Sequence, residues 1–98
     1  MNISCIKEND KLTVLVEGRI DTVTAPTLES EINNNLGSMS NLVIDFEKVE
    51  YISSAGLRIL LYFTKEMNKR NGMVLRNVCS DVMEVFEITG FSDILTIE

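Results

Sequence analysis

Two adjacent hydroxyls, Ser53 and Ser54, stand in "YISSAGLRIL" (residues 51–60), between an apolar run and a pattern that reads as the first turn of a helix. A serine in that place has two uses. Its oxygen can accept a hydrogen bond from a free backbone N–H, a cap worth ~1 kcal/mol. It can also accept a group transferred by another protein. The two uses are compatible, because a cap must lie at an exposed helix end. A third chemistry, nucleophilic catalysis by the serine itself, is removed by composition. The chain has no histidine, so neither a Ser-His-Asp nor a Cys-His relay can be assembled. The GxSxG elbow of hydrolases is also absent.

Other side chains qualify the picture. Arg58, one helical turn beyond Ser54, can pair with an anion there or with a partner carboxylate, or can simply be solvated. Asp21, in "GRIDTVT", is either a turn residue feeding a following helix or part of a contact surface. Gly56 reads as a residue that lets the first helical turn sit close to its neighbours. Cys5 and Cys79 belong to no CxxC or Cys/His cluster and read as reduced, partly buried packing residues. No four-ligand zinc spacing exists, and the phosphate-binding patterns GxxxxGK[ST] and GxGxxG are missing. The expectation is no cofactor, no metal and no enzyme.

The elements that position these groups follow from hydrophobic period. "ISCI" and "LTVLV" (3–6 and 12–16) read as a hairpin around an Asn-Asp pair. "EGRIDTVT" is expected to leave the sheet. Thr24 is the expected cap of a helix with Pro26 in its first turn, whose stripe is Ala25, Leu28, Ile32 and Leu36, with Gly37 as its stop. "NLVIDF" (41–46) reads as a buried central strand. A second helix is expected from about Ala55 to Lys69, capped by Ser54, with Leu57, Leu60, Leu61, Thr64 and Met67 or Asn68 on its inner face. "MVLRNV" is another strand, Ser80 caps a short helix with Val82, Val85 and Phe86 inward, Gly90 ends it, and "ILTI" closes the chain. The order β-β-α-β-α-β-α-β implies an α/β domain with a mixed, mostly parallel sheet, an N-terminal antiparallel hairpin and helices packed on it. Three helices leave the second sheet face incompletely covered and open to a partner.

Size and charge narrow the function. A chain of 98 residues, 45% apolar, supports one domain over 1–98. No run approaches the ~20 apolar residues of a membrane span. "MNISCIKEND" lacks the basic-then-apolar pattern of a secretory signal, so the expected location is cytoplasmic. Nine basic against fifteen acidic residues give a net charge of −6. Nucleic acid and anionic lipid are therefore poor partners. A protein with basic patches is a better one.

Three segments in order, "GRIDTVTAPTLE", "LVIDFEKVEYISSAGLRIL" and "VFEITGFSDILTIE", resemble the STAS domain of the bacterial anti-sigma factor antagonists over nearly the whole chain. The resemblance implies a switch-type binding protein. Its unmodified form would bind an anti-sigma factor that is also a serine kinase and so release a sigma factor. The kinase would phosphorylate Ser54, with Ser53 as second choice, and a PP2C-type phosphatase would restore it. Asp21, Ser53, Ser54, Gly56 and Arg58 would lie in the partner surface. Well-known members carry Asp at the position of Ser53. The family also supplies subunits of membrane transport (ABC-type) complexes, which would use the same surface as a permanent docking site.

Overall fold

A computed structural model describes all 98 residues. Strands β1 (Asn2–Glu8) and β2 (Lys11–Ile20) form the antiparallel hairpin. They are followed by α1 (Ala25–Leu36), β3 (Asn41–Ile52), α2 (Ser54–Met67), β4 (Met73–Arg76), α3 (Ser80–Thr89), a single 3₁₀ turn (Phe91–Asp93) and β5 (Thr96–Ile97). Sheet order is β1-β2-β3-β4-β5, parallel from β2 onward. The expected α/β order is the observed one. At the hairpin tip Asn9 takes φ 54, a left-handed angle that asparagine tolerates.

Because each crossover moves one strand further in the same direction, right-handed connections put all three helices on one face. Alternation then sorts the strands. Leu12, Val14 and Val16 of β2, Leu42, Ile44 and Phe46 of β3, and Leu75 of β4 meet Leu28, Ile32, Leu60, Phe63 and Phe86 of the helices in a single core. Phe46 and Phe86 pack edge to face with centroids 6.2 Å apart. Cys5 and Cys79 are free thiols packed against this core.

Several boundaries differ from the expected ones. β2 does not stop at Val16 but continues to Ile20, and β3 runs past Phe46 to Ile52. Two extra residues on β3 hide that continuation. Between Leu15 and Glu17 the partner advances from Asp45 to Lys48, and between Gly18 and Arg19 from Val49 to Tyr51. Each bulge resets the inside–outside alternation, so "EKVEYI" looks irregular although it is paired. β4 ends at Arg76, where Asn77 takes φ 59, and only Thr96 and Ile97 of "ILTI" pair. The inner face of α2 is Leu57, Ile59, Leu60, Phe63, Thr64 and Met67; Leu61 is only half-buried and Asn68 is exposed.

Two of the three expected cap positions move by one residue. Thr24 occupies the N-cap position of α1 but makes no cap bond. Cys79, not Ser80, is the N-cap residue of α3. Ser53, not Ser54, is the N-cap residue of α2, and Ser54 is the first residue of the helix.

Candidate functional site

The C-terminal ends of β2 and β3 lie side by side, and each strand hands over directly to a helix. Ser53 N–H donates to the Ile20 carbonyl at 2.8 Å, tying the two exits together. One structural feature then governs how closely α2 approaches. A Cβ built on Gly56 would lie 2.6 Å from Ile20 Cγ2 and 2.7 Å from Ile52 Cγ1. The close packing expected at Gly56 is present, and absence of a side chain is what allows it.

At the head of α2, Ser53 is extended (φ −97°, ψ 176°), as an N-cap residue should be, yet its side chain makes no cap bond. Its Oγ is buried without any hydrogen-bond partner. Leu57 N–H is the first to close a helical bond, onto the Ser53 carbonyl at 3.0 Å. The N–H groups of Ser54, Ala55 and Gly56 therefore form an uncapped helix start with the positive end of the backbone dipole. Ser54 itself is exposed. The two hydroxyls are thus unequal, one enclosed and one reachable. Replacing an ordinary serine cap by alanine costs ~1 kcal/mol. Ser53→Ala is expected to leave the melting temperature unchanged or raise it, since it deletes an unsatisfied polar atom. Thermal denaturation by circular dichroism reads this directly, and a drop of several degrees would show that Ser53 caps the helix in solution.

On the neighbouring exit, Asp21 folds its own loop. Its Oδ1 accepts from Val23 N–H and Thr24 N–H, both at 3.0 Å, and Thr24 Oγ1 donates to the Arg19 carbonyl at 2.7 Å while accepting from Asp21 N–H at 2.9 Å. The Thr24 backbone N–H is the main reason the Asp21 carboxyl titrates below its ordinary value. Arg19 approaches Oδ2 at 3.9 Å and lies over the Tyr51 ring at 4.1 Å. Asp21 is therefore a turn-former with one oxygen largely free, a combination of both sequence readings. A carboxyl lowered in the folded state stabilises the fold well above 3.8, and the contribution is lost as pH falls toward the lowered value. Asp21→Asn should flatten that acid limb of a melting-temperature profile while leaving neutral-pH folding cooperative.

Between the two helix starts runs a groove lined by Thr22, Pro26, Glu29, Ala55, Arg58 and Tyr62. Arg58 is exposed and joins no ion pair. Val23 (82% exposed) and Tyr62 (45%) add apolar surface beside it. The structure thus gathers Ser53, Ser54, Gly56 and Arg58 on the first turns of α2, with the Asp21 loop adjoining through Thr22. The sequence reading missed the groove residues Thr22, Glu29 and Tyr62. Thr22 lies in the turn before α1, while Glu29 and Tyr62 stand one turn beyond Ala25 and two turns beyond Ala55, and that helical spacing was their only signal. No cluster of three or more metal-ligating side chains occurs, and no helix is long and apolar enough to cross a membrane.

Known proteins resemble the whole of this chain. The STAS domain family matches residues 2–98. The anti-sigma-B factor antagonist of Listeria monocytogenes is 35% identical, the match covering 100% of this chain and 90% of that protein. The crystal structure of an anti-sigma factor antagonist from Mycobacterium paratuberculosis superposes with a TM-score of 0.88 at 29% identity, over 98% of this chain and 83% of that one. The Bacillus cell fate determinant SpoIIAA, solved in its phosphorylated form, shares the fold at a TM-score of 0.74 and 16% identity, over 99% of this chain and 91% of that one.

Proposed function

The chain belongs to the STAS domain family, and on that premise we propose that it is an anti-sigma factor antagonist switched by phosphorylation of Ser54. In its unmodified form it binds an anti-sigma factor that is also a serine kinase, and this binding frees a sigma factor. The kinase supplies ATP and the catalytic groups; this protein supplies the hydroxyl and the docking surface. A PP2C-type phosphatase reverses the modification. All of this takes place in the cytoplasm without a cofactor, nucleic acid contact or membrane insertion.

The observation that carries the reading is the position of Ser54, exposed at the first residue of an uncapped helix, in a chain aligned end to end with named antagonists. A phosphate there meets free N–H groups and the positive end of the helix dipole, so the fold tolerates it. It nevertheless adds about 1.5 to 2 negative charges to the docking surface. Burial of its Oγ makes Ser53 the poorer acceptor. Asp21 and Arg58 flank the hydroxyl as contact residues, and Gly56 holds the helix start in place.

Incubation with the cognate kinase and ATP, followed by intact-mass measurement and site mapping, tests the reading. One added phosphoryl group on Ser54 is expected. A chain that stays unmodified, or carries the group elsewhere, overturns it.

A further inference from the structure

All three helices cover one face of the sheet, and nothing covers the other. From the strand register, the bare face presents Ile6, Thr13, Val43 and Val74 in one row across β1 to β4. The next row is Ser4, Leu15, Asp45 and Arg76. Ile6 is 44% exposed and Leu15 36%, while Val43, though only 5% exposed, stands outside the main core because it points away from it. A sheet whose second face meets water ordinarily carries polar side chains at these places. Here the first row is largely apolar, and the charges begin with Asp45 and Arg76 in the second.

Those charges nearly balance. Glu8, Glu17, Asp45, Glu47 and Glu50 are set on the same face against Lys11, Arg19, Lys48 and Arg76, with Glu8 opposite Lys11, Glu17 opposite Lys48 and Asp45 opposite Arg76 in adjacent strands. The chain as a whole carries −6, so most of its negative excess resides on the helix side and the edges. Two copies meeting through their helices would bring like charge together. Two copies meeting sheet to sheet would not.

We infer that the open sheet face is a homodimer interface, joining a second copy of this chain about a two-fold axis. Such an axis can set the acid–base pairs Glu17–Lys48 and Asp45–Arg76 against their own reverse, which is the self-complementarity an isologous contact requires. The size is adequate. Five strands spaced ~4.8 Å apart and about three side-chain rows of ~6.6 Å give a flat footprint near 500 Å². Side-chain relief brings this toward the ~800 Å² per partner of a standard interface. The dimer leaves both Ser54 residues, which lie on the helix side, free for modification. The inference does not depend on the switch.

Sedimentation equilibrium of the full chain, from micromolar to near-millimolar concentration, provides the test. Wild type is expected to form a reversible dimer. Ile6→Lys/Leu15→Lys should raise its dissociation constant by roughly tenfold or more, with circular dichroism and melting temperature unchanged because both positions are exposed. Lys48→Glu/Arg76→Glu and Glu17→Lys/Glu47→Lys chains should each be monomeric alone and form heterodimers when mixed. A wild type that remains monomeric, or a dimer indifferent to all three variants, overturns the inference. So does a monomeric wild type whose Ile6→Lys/Leu15→Lys variant loses the partner kinase, since the face would then belong to that partner. Phosphorylation of Ser54 is measured separately and stands or falls without reference to these outcomes.

Discussion

Ser54→Asp is expected to weaken binding to the anti-sigma kinase by roughly a hundredfold, about 3 kcal/mol, while the protein melts at the same temperature or slightly higher. The two readouts move apart for a physical reason. In the free protein the new carboxylate sits at the first residue of α2, where three N–H groups lack side-chain partners. A negative charge there stabilises a helix by ~0.3–1 kcal/mol. In the complex the same charge loses water and meets a surface shaped for a neutral hydroxyl, and an unpaired buried charge costs several kcal/mol. Ser54→Ala should bind like wild type and accept no phosphate, because it removes the acceptor without adding bulk or charge. Isothermal calorimetry and intact-mass assays on both variants separate these effects. If both variants bind the kinase as wild type does, phosphate at Ser54 is not what breaks the contact.

The sequence carried the order of elements because the apolar periods are strong where helices and strands face one core. Ala25, Leu28, Ile32 and Leu36 are all buried, as their spacing requires. It failed where alternation is broken by insertion. "EKVEYI" belongs to a paired strand, but each bulge shifts the inward parity by one, so Val49 and Ile52 are three residues apart and both face the core. No period-two count survives that. The starts of α2 and α3 were misplaced by one residue for a different reason. Ser53 and Ser54 are chemically identical, and only backbone angles distinguish the cap from the first helical residue. That one-residue shift matters to function, because it decides which hydroxyl is enclosed. Exposure of Ser54 and orphaning of the Ser53 Oγ are tertiary facts, set by Ile20 accepting from Ser53 N–H and by Gly56 seating α2 on the strand ends. The groove residues were illegible for the same reason. Thr22 and Tyr62 are forty residues apart in sequence and share a groove only because β2 and β3 end together.

Gly56→Ala should lower stability by about 1 to 2 kcal/mol, against the usual direction of this substitution inside a helix. Alanine favours a helix over glycine by ~1 kcal/mol, and Gly56 has no positive φ that a side chain would strain. Packing opposes that gain. The added methyl would stand 2.6 Å from Ile20 Cγ2 and 2.7 Å from Ile52 Cγ1, branches fixed to stiff χ1 torsions in residues that are 0% and 3% exposed. Neither can swing aside, so the first turn of α2 must lift, and contacts this short put the cost at the upper end of the ~1–3 kcal/mol of overpacking, about 2–3 kcal/mol. For a domain of this size the net loss corresponds to roughly 5–15 °C in melting temperature. The double variant Gly56→Ala/Ile52→Ala should be destabilised by less than the sum of its parts, because the cavity left at residue 52 receives the methyl. Urea denaturation of the four proteins measures that coupling. A Gly56→Ala protein at least as stable as wild type would mean that α2 is free to shift outward at no cost. The functional consequence follows from the same movement. Lifting the first turn displaces Ser54 from the Asp21 loop, so phosphorylation by the kinase should slow even at temperatures where Gly56→Ala is fully folded. A rate equal to wild type would show that the kinase reads the hydroxyl alone, and not the juxtaposition of two helix starts that Gly56 maintains.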